Sequence, residues 1–266
     1  MELKPLPVVA AVVVLALAGG VLWYVLSRPS PGIELAPEGS SVSGPQYITE
    51  DGQYHEIAVT YPGDTPLRAT AGAQADAAAV ALMKTFAEAQ IAQFKTDSGL
   101  ATLTQADIDM MGLGGDRKFA FGMEYETRTS PVTLSYIYLI YADTMGAHPN
   151  AYYKTFTFDR MSGEELTIDD LFTPGANFLP VLSETSRAIL YPKIAQAMNI
   201  PQSEMDTSMI DAGTEAQISN FTTFYLDGAD LVLIFPPYQV GPWALGTQEA
   251  RISRSDLADL LKTRYR

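Results

Sequence analysis

The sequence predicts an α+β fold, an antiparallel sheet packed with helices, preceded by one N-terminal transmembrane helix. Three observations carry this. Residues 8–26 form a run of nineteen residues without a charge. Residues 73–97 place apolar side chains at helical spacing. Beyond them lies a series of short apolar or alternating segments bounded by Gly, Pro, Asn and Asp, the mark of strands and turns.

The first run, VVAAVVVLALAGGVLWYVL, would span roughly 28 Å as a helix, close to the ~30 Å hydrocarbon core of a bilayer. Trp23 and Tyr24 stand near one end, where aromatic rings favour the membrane interface. A cleaved signal peptide ending at Ala16-Leu17-Ala18 is the competing reading, but the apolar run continues through Leu26. Residues 1–7 are then a short cytoplasmic leader and 8–26 a single-pass anchor. The acidic bulk lies outside the cytoplasm. Residues 27–46 carry Pro, Gly or Ser at twelve of twenty positions and read as a tether.

The globular pattern starts at Tyr47. Residues 55–61 alternate as a strand, stopped by Pro62-Gly63. In 73–97 Val80, Met83, Phe86, Ile91 and Phe94 share one side of the helical wheel, and Lys84 and Glu88 take the other. Residues 118–128, 132–141 and 153–159 read as strands. In the second, both faces are apolar, so it belongs at the centre of a sheet covered on both sides. Met161-Ser162-Gly163 turns the chain, and Thr167 with Asp170 fits a capping box. Asn177 is the expected cap of a helix reaching Met198, with Pro192 inside it and Leu182, Leu190, Ile194 and Met198 as its apolar stripe. Two strands joined at Asp227-Gly228 form a hairpin. Residues 248–252 make another strand. Ser253 with Asp256 then predicts a last helix over 257–261, with Lys262, Arg264 and Arg266 at its C-terminal end. The globular part divides into 47–141 and 142–266, expected to form one compact unit.

Charge narrows the partners. The formal charge is −14; Glu2, Lys4 and Arg28 sum to +1 over residues 1–28, which leaves −15 on the rest. Such a surface repels nucleic acid and anionic lipid and favours basic proteins or cationic ligands. Cysteine is absent, which removes thiolate catalysis, disulfides and cysteine-ligated zinc. His55 and His148 are the only histidines and are far apart in sequence. No cofactor or metal is expected. No nucleophile elbow, P-loop or dinucleotide fingerprint occurs. The adjacent pairs Glu164/Glu165 and Asp169/Asp170 suit turns and caps better than a glycosidase pair, which needs two carboxylates facing across a cleft.

Three phrases have an order and spacing beyond pattern: Gly146-Ala147-His148-Pro149-Asn150; Phe158-Asp159-x-x-Ser162-Gly163-x-x-Leu166-x-Ile168-x-Asp170-Leu171-Phe172; and Leu231-x-Leu233-x-Phe235-x-x-Tyr238-x-Val240-Gly241-Pro242-x-Ala244-x-Gly246. Together they resemble the extracytoplasmic domain family shared by the anti-sigma factor RsiV and the peptidoglycan deacetylase PdaC. The resemblance implies an α+β fold, a bacterial envelope location, and contact with peptidoglycan or a lysozyme. No sigma factor is expected as a partner, since a leader of seven residues is too short to grip one. A separate catalytic deacetylase domain is not expected.

The candidate ligand-binding residues are His148, Asn150, Tyr238 and Trp243. His148 can donate a hydrogen bond to a ligand or anchor a turn. Tyr238 and Trp243, among rigid Gly-Pro backbone, suit sugar stacking or a protein contact, or else close the core at a sheet end. His55 reads as structural. The leading expectation is a membrane-anchored, non-catalytic envelope module that binds a lysozyme-like protein or peptidoglycan. The alternatives are a carboxylate-dependent peptidoglycan hydrolase and a structural scaffold of an envelope complex.

Overall fold

A computed structural model describes residues 44–266. The leader, the anchor and nearly all of the tether lie outside the described residues. Among the described residues no helix is long and apolar enough to cross a membrane.

The chain opens with β1 (Gln46–Asp51) and β2 (His55–Tyr61), an antiparallel pair. Three helices follow, α1 (Leu67–Thr70), α2 (Ala73–Asp97) and α3 (Gln105–Met111). They carry the chain across to β3 (Phe119–Thr129), which pairs parallel to β2. A parallel pair requires such a crossover. β4 (Thr133–Asp143), β5 (Asn150–Asp159) and β6 (Glu165–Leu166) then add antiparallel, completing a six-stranded sheet in sequential order. The sheet therefore runs through position 141 without a break.

α2 lies on one face of this sheet. It buries Ala79, Met83, Ala87, Ile91 and Phe94 against Ile57, Val59, Phe121, Met123, Tyr138 and Phe156. The small alanines bring the helix close, and Phe94 stacks on Phe121 at 5.2 Å between centroids. Val80 and Phe86 of the expected stripe are only partly buried. Asp76 is also on the buried side, 1% exposed. Its carboxylate accepts the Thr65 N–H at 2.6 Å and the Arg68 guanidinium at 2.8 and 2.7 Å, which offsets the cost of burying the charge.

The second sheet comes from the end of the chain. β7 (Phe224–Asp227), β8 (Asp230–Phe235) and β9 (Gln248–Ser253) form an antiparallel meander. The hairpin turns at Gly228-Ala229, with Gly228 at φ +56°, a conformation that glycine adopts without strain. The two sheets pack face to face. Ile137 of β4 meets Tyr225, Val232 and Ile234, with Tyr153 alongside. Two threonines pin the contact: Thr155 Oγ1 accepts the Phe224 N–H at 3.0 Å, and Thr157 Oγ1 donates to the Phe224 carbonyl at 3.0 Å. On its far face the second sheet buries Leu226, Leu233, Phe235 and Ile252 against α4 (Phe178–Met198), through Leu182, Leu190 and Ile194. The layers thus run α2, first sheet, second sheet, α4. β4 is covered on both faces, as its apolar pattern predicts.

Three details of the sequence reading are corrected. Asn177 precedes α4 but its side chain makes no capping bond. Met198, assigned to the apolar stripe, is 43% exposed, because α4 ends there, past the sheet it covers. The expected last helix does not form. Residues 254–257 and 263–265 make 3₁₀ turns, and Ser253 caps neither with its side chain. Between them the chain pairs with the segment after β6: Thr173 N–H donates to Leu260 O at 2.8 Å, and Lys262 N–H to Leu171 O at 2.9 Å. These tertiary bonds satisfy backbone groups that a helix would otherwise have used. Arg264 accordingly serves no helix dipole. It reaches Asp159, 4% exposed at the end of β5, at 2.6 Å.

Asp159, the first acid of the second sequence phrase, locks the C-terminus. Its carboxylate accepts the N–H groups of Met161 (2.8 Å) and Ser162 (3.0 Å), the Tyr265 hydroxyl (2.9 Å) and the Arg264 guanidinium. The turn it caps packs on α2. A β-carbon on Gly163, whose φ is +75°, would lie 2.3 Å from the Ala75 methyl, so glycine is required twice over.

Candidate functional site

Two loops at one end of the sandwich come together, one from each sheet. The first joins β4 to β5. Met145 sits at φ +58° and its N–H donates to Asp143 Oδ1 at 2.9 Å, an Asx-type turn that bends the chain toward His148. The second joins β8 to β9. Pro236-Pro237 ends β8, since proline cannot continue the ladder. Tyr238 follows at φ +72°, with its N–H donating to Gly241 O at 3.0 Å, and a 3₁₀ turn spans Trp243–Leu245.

His148 bridges the loops. Its ring stacks on the Trp243 indole, with centroids 4.4 Å apart and planes at 26°. Nε2 lies 2.9 Å from the Tyr238 hydroxyl and Nδ1 lies 3.0 Å from the Pro149 carbonyl. A carbonyl only accepts, so Nδ1 carries a proton; in the neutral ring Nε2 then accepts from the Tyr238 O–H. Tyr238 is 56% exposed, and His148 and Trp243 are half-buried. Asn150, the first residue of β5, is exposed opposite Ala142.

Three of the four residues singled out from sequence therefore meet in one partly exposed group, with Asn150 two residues along the chain from His148. The group carries no formal charge while the imidazole is neutral, on a chain of net charge −14. A bulky residue held at positive φ is a costly conformation, about 1–3 kcal/mol, and such residues concentrate at functional sites. Gln239, which the sequence reading passed over, holds the same loop: its amide nitrogen donates to Gly213 O at 2.8 Å and to Asn220 O at 3.0 Å. No local pattern could have revealed it, because its partners lie 26 and 19 positions away.

The other candidates occupy structural places. His55 Nε2 is 3.3 Å from Glu50 Oε2, and Lys95 also binds Glu50 at 2.7 Å. The Lys95 bond, opposed by burial and helped by His55, holds the Glu50 carboxyl below its ordinary range. Thr167 N–H donates to Asp170 Oδ2 at 2.8 Å within the predicted capping box, and the Thr167 hydroxyl lies 2.6 Å from Asp169 Oδ1. Glu164 and Glu165 form the turn and the start of β6. They also rim a cleft of about 400 Å³ between α2 and that turn, floored by Ala75, Ala79 and Phe158. A broader groove of about 560 Å³ crosses β1–β3, over Ala58, Ala120 and Gly122. Neither includes the aromatic group. Among the described residues no cluster of three or more His, Asp or Glu is placed to hold a metal ion.

Residues 169–255 match the family described as "Protein of unknown function (DUF3298)". The chain is 27% identical over 219 residues to the peptidoglycan-N-acetylmuramic acid deacetylase PdaC of Bacillus subtilis, covering 82% of this chain and 41% of that protein. It is 25% identical over 128 residues to the esterase Rv3036c of Mycobacterium tuberculosis, covering 48% of this chain and 52% of that one. The chain thus spans about half or less of these two relatives. A solved structure of a DUF3298 family member from Bacteroides fragilis shares the fold, with a TM-score of 0.54 at 18% identity over 83% of this chain and 93% of that one. Residues 169–255 match the DUF3298 family, in a chain that resembles PdaC over most of its length and shares the fold of a solved DUF3298 family structure.

Proposed function

We propose that this chain is a non-catalytic module of the bacterial cell envelope that binds a peptidoglycan glycan through the face made by His148, Tyr238 and Trp243, with Asn150 at its side. Residues 8–26 would anchor it in the membrane and residues 27–46 would tether the folded part outside the cytoplasm. The observation that carries the reading is the stacked imidazole–indole pair beside an exposed tyrosine in a strained backbone. An uncharged aromatic platform offers the apolar face of a sugar ring a flat partner, and neighbouring polar edges such as Asn150 can bond its hydroxyls. The similarity to a protein named as a peptidoglycan deacetylase supports the envelope setting. The activity in that name is not carried over, since this chain covers 41% of that protein. His148 Nε2 faces the Tyr238 hydroxyl and Nδ1 the Pro149 carbonyl, so neither nitrogen faces the serine or the carboxylate of a relay.

A second reading is favoured by charge. With a formal −14 on the chain, a basic, lysozyme-like protein would be steered to it electrostatically. The two readings separate by experiment. The full chain in detergent micelles is titrated with soluble peptidoglycan fragments and with lysozyme at low and high salt. Glycan binding should be nearly insensitive to salt and should weaken about tenfold in Trp243→Ala, the loss of one stacking contact of roughly 1.4 kcal/mol. Binding of lysozyme alone, lost at high salt, would replace the first reading by the second. Equal glycan affinity for wild type and Trp243→Ala refutes the assigned face.

A further inference from the structure

We infer that Gln239 is the positioning residue of the aromatic face, holding Tyr238 in the conformation that presents its ring and hydroxyl. This role stands on the loop geometry, and only its effect on ligand affinity rests on the proposed glycan function.

Three features place Gln239 in this role. Its side-chain nitrogen spends both hydrogens on backbone carbonyls, Gly213 O at the end of α5 (Ser208–Gly213) and Asn220 O in the next 3₁₀ turn. Both partners are pure acceptors, so the amide orientation is determined. The backbone of Gln239 also rests directly on Gly213: a β-carbon there would lie 1.9 Å from Gln239 O and 3.0 Å from Val240. Asn220 is itself tied to the α5 end, its amide donating to Ala212 O at 3.2 Å and Glu215 O at 3.1 Å. α5 in turn is fastened to α4 by Arg187, which donates to Thr214 Oγ1 at 2.9 Å and to Asp211 O at 2.8 Å.

The loop therefore has two rigid ends, β8 on one side and the Gly213–Asn220 anchor on the other, with Tyr238 between Pro237 and the clamped Gln239. A tyrosine left to itself would relax from φ +72° toward negative φ. That relaxation would swing its hydroxyl away from His148 Nε2 and leave the imidazole held only by Trp243 and Pro149. The hydrogen bonds of the Gln239 side chain go to Gly213 and Asn220 and to none of the three rings. Gln239 acts through the backbone of its neighbour.

The test uses the full chain in detergent with Trp23→Phe as background, so that Trp243 is the only tryptophan. Gln239→Glu keeps the size of the side chain and replaces both donors by a carboxylate facing two carbonyls. Gln239→Met, apolar and of similar length, serves as the second variant if the first does not fold, judged by far-UV circular dichroism. In a folded variant, acrylamide quenching of Trp243 should rise about twofold as the stack loosens, a change that loss of stability elsewhere would not produce. Binding of peptidoglycan fragments should fall about tenfold, the scale of one or two lost hydrogen bonds. In a Tyr238→Ala background the same Gln239 change should cost less than twofold, because its effect passes through Tyr238. Unchanged Trp243 quenching in a folded variant overturns the inference whatever the ligand. Fully additive losses with Tyr238→Ala overturn it as well. If wild type binds no fragment, the glycan reading fails and the quenching comparison still decides the role of Gln239.

Discussion

Replacing Asp159 should destabilise the fold more than any other single carboxylate change in the C-terminal half, and the geometry sets the size. The carboxylate is 4% exposed and accepts from Met161 N, Ser162 N, Tyr265 Oη and Arg264 Nη2 at 2.6–3.0 Å. Hydrogen bonds to a charged acceptor contribute about 1.5–3 kcal/mol each, and bonds sharing one acceptor do not add. Breaking a fully buried ion pair costs about 3–5 kcal/mol. The Arg264 side chain is 34% exposed and can return to water, so the lower end applies. Asp159→Ala should thus lose about 3 kcal/mol, with Tyr265 Oη left buried without a partner. Asp159→Asn keeps one oxygen for the turn amides and should lose about 1–2 kcal/mol. Urea unfolding of a protein spanning residues 44–266, followed by circular dichroism, reads both from the midpoints if the slope is unchanged. Acidification supplies an independent check. Burial pushes this carboxyl up, but the Ser162 and Met161 amides, the Tyr265 hydroxyl and Arg264 outweigh it, so the net direction is down. A carboxyl with a folded pKa below its unfolded value stabilises fully above the unfolded value, near 4, and loses that stability as pH falls through the folded one. The gap between wild type and Asp159→Asn should therefore close as pH drops from about 5 toward 2. An Asp159→Ala protein within about 0.5 kcal/mol of wild type, or a gap that does not change with acid, would refute the lock.

Gly163→Ala should cost at least about 2 kcal/mol, since φ +75° strain adds to a methyl placed 2.3 Å from Ala75, whereas Gly175→Ala, with φ +81° and open space, should cost only about 1 kcal/mol. The same unfolding assay compares them, and equal losses would mean that the packing of the turn on α2 is not tight. Thr155→Val removes the acceptor of the buried Phe224 N–H and should destabilise by about 1–3 kcal/mol. Amide exchange at Phe224 should speed up in parallel, and an unchanged rate would show that another group satisfies that N–H.

Much of the fold was legible because periodicity is a local property. Met83, Ile91 and Phe94 repeat at helical spacing and do line α2. Alternating and doubly apolar runs marked β2, β4 and β5, and Asp227-Gly228 marked the hairpin. β1 was missed because its residues are mostly exposed and follow a Pro-Gly-Ser stretch, so no face stands out. α3 had a readable sign, Thr104 and Asp107 in a reciprocal capping box, but too short an apolar pattern to support it. Ser253 and Asp256 gave a false start for a helix, because pairing with residues 171–173 outcompetes local propensity there. The aromatic residues were legible as unusual types among Pro and Gly. Their meeting was not, since His148 and Tyr238 are 90 positions apart.

That separation gives the site its physical character. His148 rides on a loop of the first sheet, and Tyr238 and Trp243 ride on a loop of the second, so the distance between them is set by how the sheets dock. The docking is specified by Thr155 and Thr157, which clasp the two backbone groups of Phe224 at 3.0 Å, and by Ile137 seated against Val232 and Ile234. Hydrophobic contact alone would tolerate a small slide of one sheet over the other, whereas a paired donor and acceptor buried in the interface do not. A shift of about 1 Å at Phe224 would leave two buried backbone groups poorly bonded and would pull the imidazole off the indole at the sandwich end. The buried threonines thus set the register of the rings as well as the stability of the layers. Because the site depends on both sheets, a fragment carrying either sheet alone would lack one side of the aromatic face.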